Sequence, residues 1–434
     1  MVTAIDNPRI RLSALALPSD AEPAFVHDVR KRALARFRDL GFPTTKTEAW
    51  KYTNVAPLAR IDFALGAGGQ SGSGEFLDPS VTARAAAELV FVNGRFAPEL
   101  SKMPSSDELR VSTIREGRAE VVEHFARHAD YDKHPFTALN TALAQDGAVL
   151  TAVGVVEGFI HLVFIGSEAA EPVMSHPRNL VVAERGSQIT VVESYAGSGT
   201  YFTNAVTELV AGDGAAVDHY RIVRDSAEAF HVGTLQVRQE RSSDVTSHTI
   251  TLGGGLVRNE INVELSGEGA SCVLDGLFVL AGSQHADNHT LIDHTRPHCT
   301  SLEHFKGILD GNGRGIFDGT IIVRPDAQKT SSRQTNNNLL LSETAIVDSK
   351  PTLEIHADDV KCNHGSTIGQ LDEEALFYLR ARGIGEVQAR DLLVLAFASE
   401  IVDRIKVEPV REQIRRTMFQ HMPNREGGRR ETRS

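Results

Sequence analysis

The chain has 434 residues, 41% of them hydrophobic and 24% charged, the balance of a soluble globular protein long enough for two or three domains or one elongated architecture with appendages. A net charge of −12 gives a nucleic-acid role no electrostatic support, and no apolar run is long enough to cross a bilayer. Three cysteines, Cys272, Cys299 and Cys362, cannot build a disulfide framework and fit a reducing cytoplasm.

The opening stretch, MVTAIDNPRIRLSALALPSD, lacks the apolar core of a signal peptide, so a cytoplasmic location is expected. Next, EPAFVHDVRKRALARFRDLG carries apolar residues at helical spacing, and Gly41 is a plausible stop. ALGAGGQSGSGEF reads as a Gly/Ser-rich loop. ELVFVNGRF reads as a hairpin about Asn93-Gly94. Two more helical stretches follow, IREGRAEVVEHFARHA and PFTALNTALAQDG. Residues 1–146 are thus expected to form a mostly helical domain.

From about Gly147 the period changes. Short Val/Ile-rich alternating segments recur, separated by polar turns at Gly186, Gly214, Asp244 and Gly269, an interval of about 25–30 residues that is the signature of a solenoid. With no amphipathic helix interrupting, stacked β coils over residues 147–370 are favoured over βαβ units. A β-sandwich is the alternative, but its turns would come every 8–12 residues.

After Gly369 helical periodicity returns. Asp372 is a candidate N-cap and Gly383 a candidate stop. Ala389, Leu392, Leu393, Ala396, Phe397, Ile401 and Ile405 trace one stripe, as if a helical hairpin closes the solenoid's end. The third domain, residues 371–434, ends in a basic tail.

Chemistry-bearing residues concentrate late in the chain. In DDVKCNHGSTIG, Cys362 and His364 are two apart, so on a strand they share one face. They could be a metal half-site, a catalytic pair or ordinary core residues. A closed tetrahedral site needs four ligands, and no second cysteine-rich motif exists, so a half-site points to an interface. His285, His289, His294, His298 and His304 crowd one segment, but their spacings do not fit a helical zinc motif; polar rungs and turn contacts are the simpler reading. Asn336, Asn337 and Asn338 suggest an inward asparagine stack. Neither G-x-x-x-x-G-K-[ST] nor G-x-S-x-G occurs, which argues against a P-loop ATPase or a hydrolase elbow.

DDVKCNHGSTIGQLDEEALFYLRARGI, with NNNLLLSETAIVDSKPTLEIHADDVKC and QHADNHTLIDHTRPHCTS upstream and TEAWKYTN around Trp50, closely resembles the SufB/SufD family of iron–sulfur cluster assembly proteins. The likeness is nearer to SufD: where SufB carries a cysteine, RQTNNNLLLS has Thr335 and Asn336. The resemblance implies a mainly β fold, a right-handed parallel β-helix flanked by N-terminal and C-terminal helical regions. It implies a non-catalytic scaffold that pairs with a SufB-like subunit and docks a SufC-like ATPase through residues about 371–408, on the helical face carrying Arg390, Glu400 and Arg404. It places His364 at the SufB–SufD interface with Cys362 close by, holding a transient iron–sulfur cluster shared with the partner. Flavin binding and a homodimer of the isolated chain are left open. A β-helix polysaccharide lyase or hydrolase is the competing reading; it would need paired carboxylates and aromatic platforms, and the chain is only 6% aromatic.

Overall fold

A computed structural model describes residues 24–68, 73–116, 119–166 and 171–420. The opening stretch weighed above as a signal peptide, the middle of the Gly/Ser-rich loop and the basic tail from 421 onward lie outside those residues.

From Ala148 to Gly369 strands follow one another, with no helix among the described residues. Alternate strands enter two different sheets, one of eleven strands and one of ten. In the first, Phe202 pairs with Phe230, which pairs with Leu256, then His285, Arg314 and Ile346, all in parallel. Each circuit therefore takes roughly thirty residues, and the result is a parallel β-solenoid of about 7 turns. Parallel pairing throughout the coils rules out the sandwich. Both sheets begin upstream of the coils, with Ala87–Val92 in one and Leu109–Thr113 in the other.

The alternation explains the core. Val217, Val245 and Cys272 occupy one in-register column, and with Ile261, Val263, Ile292 and Ile321 they fill the lumen. One edge of the solenoid turns through residues with positive φ at Gly186, Gly214, Ser242, Gly269, His298 and Lys329. The backbone N–H of each donates to a carbonyl of the next coil, Gly186 to Asp213 and Ser242 to Glu268 for instance, so the turns extend the ladder. The third turn thus sits at Arg241-Ser242, not at Asp244, which opens the Asp244–Thr251 strand. A left-handed conformation costs an L-residue about 1–2 kcal/mol, and glycine gives back part of that in chain entropy. Ser242→Gly should therefore raise the unfolding free energy by about 0.5–1 kcal/mol, measured as a shift of the denaturant midpoint.

The N-terminal readings hold in part. The helix runs Ala24–Leu40 with Gly41 at φ 64°, Asn93 and Gly94 make the tight turn, and Pro135–Leu143 is helical. Among its described residues the IREGRAEVVEHFARHA stretch yields only a short turn, Ile114–Glu116, and the brief helix Ala119–His124.

The C-terminal helices do not close the solenoid's end. Val394, Ala398, Ile401, Val402, Ile405, Val410, Ile414 and Met418 pack on Val192, Tyr220, Ile222, Ile250, Leu252, Leu277 and Ile308, so the helices lie along the flank of the ten-stranded sheet. The stripe is corrected too: Leu392 and Ala396 are exposed, while Val394 and Ala398 are buried. DLLVLAFASEIV is apolar nearly all round, so periodicity alone cannot choose its inner face. Polar fasteners complete the seat. Lys306 pairs with Glu400 at 2.6 Å and donates to the Phe397 carbonyl at 3.0 Å, Arg404 pairs with Asp275 at 2.9 Å, and Lys406 pairs with Asp218 at 2.8 Å.

Candidate functional site

Because the helices take the flank, the last coil is left open among the described residues. Ile346–Ile355 and Lys361–Gly369 are the end strands of their sheets, and most of their side chains are exposed or half-buried, Ile346 and Ile368 being 53% and 50% exposed. A bare sheet edge offers backbone donors and acceptors to another chain, and proteins blunt such edges with proline, charge or bulges. Ile346–Ile355 carries Lys350 and Pro351 in mid-strand. Lys361–Gly369, KCNHGSTIG, has no proline and its only charged residue is at its start.

Cys362 and His364 stand on that strand, and the structure puts them on the same face as the spacing requires. Cys362 is half-buried and packs against the lumen core, so this face is the inward one. His364 is exposed because no further coil covers it. Burial pushes the Cys362 thiol up from its ordinary value, partly offset by a hydrogen bond with the Ser332 backbone; it is a protonated thiol at neutral pH rather than an activated thiolate. Cys272 and Cys299 are buried, with thiols pushed up by burial, and the Cys299 thiol donates to the Gly267 carbonyl at 3.3 Å. Both are structural.

Two polar columns descend from the open end. Cys362 is in register with Ser332, Ser301 and Cys272, and His364 with Gln334, Glu303 and Leu274. In the first, Ser301 and Ser332 share a 2.7 Å hydrogen bond and His294 meets Ser301 at 2.9 Å. Sequence reading missed these columns, since the residues lie about thirty apart and only the register aligns them.

The other histidines scatter. His285 meets Thr53 at 2.9 Å, His289 meets Asp287 at 3.0 Å, His294 faces the lumen, and His298 sits in a left-handed turn. His304 lies by the C-terminal helix, its pKa lowered to about 4 by burial and then by Arg404. Among the described residues no group of three or more His, Cys, Asp or Glu side chains is arranged to hold a metal ion, so Cys362 and His364 are a half-site at most. The asparagines form no ladder between coils. Asn338 Nδ2 donates to Asn336 Oδ1 within one strand at 2.6 Å, because the neighbours of Asn336 in register are Phe305 and Ser366.

TEAWKYTN is docked on the eleven-stranded sheet. Buried Trp50 lies under the Arg258 guanidinium, 3.8 Å from its carbon to the ring centroid. Arg258 pairs with Asp287 at 2.5 Å and Glu260 at 3.0 Å, and Thr53 donates to Asp287 at 2.5 Å.

Of the polar face assigned to a partner, Glu400 and Arg404 are spent on Lys306 and Asp275. Beside exposed Glu373, Glu374, Arg380, Glu386 and Gln388, the two helices Glu373–Ala381 and Glu386–Val402 leave large apolar side chains outward. Phe377 is 73% and Tyr378 58% exposed, with Val387 and Leu392 also exposed, and only Leu376 of the first helix is buried. The spacing in EEALFYLRA gave no signal of this, since adjacent helix positions can share one inward stripe, as buried Ile401 and Val402 do.

A family model described as "SUF system FeS cluster assembly, SufBD core domain" matches residues 164–397, and one described as "SufBD protein N-terminal region" matches residues 15–156. An iron–sulfur cluster assembly SufBD family protein of Synechocystis sp. is 34% identical over 434 aligned positions, covering 95% of each chain. The iron–sulfur cluster assembly protein SufD of Escherichia coli is 30% identical over 395 positions, 88% of this chain and 90% of its own. SufD of Bacillus subtilis is 26% identical over 416 positions, 91% and 93% of the two chains.

Proposed function

Because the chain belongs to the SufBD family of iron–sulfur cluster assembly proteins, we propose that it is a non-catalytic scaffold subunit whose open last coil helps hold a nascent cluster. The terminal strand carries this reading: it presents Cys362 and His364 inward beside an edge that neither proline nor mid-strand charge protects. A SufB-like subunit offering a matching edge would continue the sheets and cover the pair by backbone pairing. Thiolates suit iron–sulfur clusters and histidine can replace them, so a partner thiolate would supply what the half-site lacks. The cluster is cargo, held in transit. The same edge would let the isolated chain pair with a second copy. A reducing cytoplasm fits this chemistry, and no described helix is long and apolar enough to cross a membrane.

A SufC-like ATPase would dock on the outer face of residues about 371–408, where large apolar side chains stand among charged ones. Exposed Phe377 and Tyr378 are the anchors, since aromatic residues dominate interface energetics. Removing residues 371–434 is a poor test, because the flank residues Tyr220, Ile250 and Leu277 would lose their cover. Phe377→Asp with Tyr378→Asp touches no buried position. It should weaken capture of the co-expressed ATPase about tenfold or more with unchanged circular dichroism; undiminished capture would refute the docking surface.

A further inference from the structure

We propose that Gln334, clamped by Glu303, is the positioning residue of His364, its amide oxygen accepting the imidazole N–H and so selecting which ring nitrogen is left free to bind. This rests on the reading of His364 as a ligand at the open coil.

The three residues occupy one inward-facing column on successive coils, Glu303 pairing in register with Gln334 and Gln334 with His364. Successive strands of a sheet lie about 4.8 Å apart, within side-chain reach. Gln334 is fully buried and Glu303 nearly so. Gln334 Nε2 donates to Glu303 Oε2 at 2.7 Å, which fixes the amide with its nitrogen toward the deeper neighbour. Its oxygen, Oε1, is buried without a hydrogen-bond partner. Leaving a buried acceptor unmade is costly, and the polar neighbour in register on the outer side is His364. The opposite wall makes room for this amide: a Cβ on Gly319 would lie 2.3 Å from Gln334 Nε2.

The chemistry follows from how imidazole binds. A neutral ring has one N–H and one bare nitrogen, and the hydrogen bond made by the first decides which nitrogen is bare. Metal-binding histidines regularly hand their other N–H to a carboxylate or carbonyl oxygen, which fixes ring orientation and raises basicity. Here the acceptor is an amide oxygen, held in turn by a buried carboxyl. Burial pushes the Glu303 pKa up to about 7, against the Gln334 hydrogen bond that lowers it, so an acid or a carboxylate accepts from the amide near neutrality.

Long-range nitrogen NMR on the full chain, with 15N-labelled histidine, reads the His364 tautomer directly. One tautomer should dominate in the parent chain, and Gln334→Leu should lower the tautomer ratio about tenfold, the worth of one hydrogen bond. The exchanged pair Glu303→Gln with Gln334→Glu keeps a donor below and an acceptor oxygen above, and should restore the ratio. The same variants assembled with the SufB-like and SufC-like partners should show lowered, then recovered, iron and sulfide per folded complex. An unchanged tautomer ratio in Gln334→Leu, or no recovery in the exchanged pair, overturns the proposal. If Gln334→Leu shifts the tautomer while His364→Ala leaves cluster content intact, the ligand reading of His364 fails instead, and with it this residue's role in assembly.

Discussion

His364→Ala should lower the iron and sulfide held by the assembled complex about tenfold or more, the scale on which even outer-shell partners of a metal site act, while the chain's own stability changes by no more than about 0.5 kcal/mol. The second half of that expectation comes from the structure. A histidine that satisfied buried carbonyls would cost about 1–3 kcal/mol when truncated, but His364 is exposed on the last strand of its sheet, so in the variant water takes the place of the ring at the Gln334 amide oxygen. Complex assembly and ATP hydrolysis by the SufC-like subunit should be preserved, because the variant removes no backbone group from the edge. Cys362→Ser should have a milder effect: its thiol is pushed up by burial, and the imidazole and a partner thiolate would remain. Melting temperature and reconstituted iron and sulfide, measured on the same preparation, decide the matter. Lost stability with normal cluster content per folded complex would sink the reading.

Arg258→Leu should cost about 3–5 kcal/mol at pH 7, the penalty for stranding buried charge. Asp287 and Glu260 are nearly buried. Burial pushes both carboxyls up, but Arg258 overcomes it, with help from His289, and holds them below the usual range. Groups depressed in this way contribute stability above their unfolded pKa of about 4, and that contribution is lost as pH falls through the folded values. Without Arg258 the carboxyls would be left to burial, rise, and take up protons on mild acidification. The deficit should therefore be largest at pH 7 and narrow toward pH 4.5, read from urea midpoints at several pH values. Trp50 would also lose the guanidinium stacked on its ring, and Trp50 fluorescence should report that loosening. A deficit constant across the range would mean that lost packing, not charge, accounts for it.

The sequence by itself determined the architecture of the coils. Alternating Val/Ile segments at a period near thirty permit few packings, and positive-φ turns mark three of the boundaries with glycine, at Gly186, Gly214 and Gly269. The turn at Ser242 was misplaced because a left-handed serine has no signature in one sequence. The pairing of Cys362 with His364 was also legible, since strand geometry alone puts i and i+2 on one face. The roles expected of that pair came from family resemblance, and spacing alone left them open.

Tertiary structure decided what those residues face. The helix Glu386–Val402 is apolar on several sides, so only the sheet flank, with Lys306, Asp275 and Asp218 as fasteners, selects its inner face. That choice leaves the last coil uncovered and turns Phe377 and Tyr378 outward. Closure of successive coils aligns Glu303, Gln334 and His364, which are 31 and 30 positions apart in the chain. Local patterning reports a residue's own strand and face, whereas a column through several coils exists only once each circuit has closed at its own length, and that length varies from coil to coil with the turns.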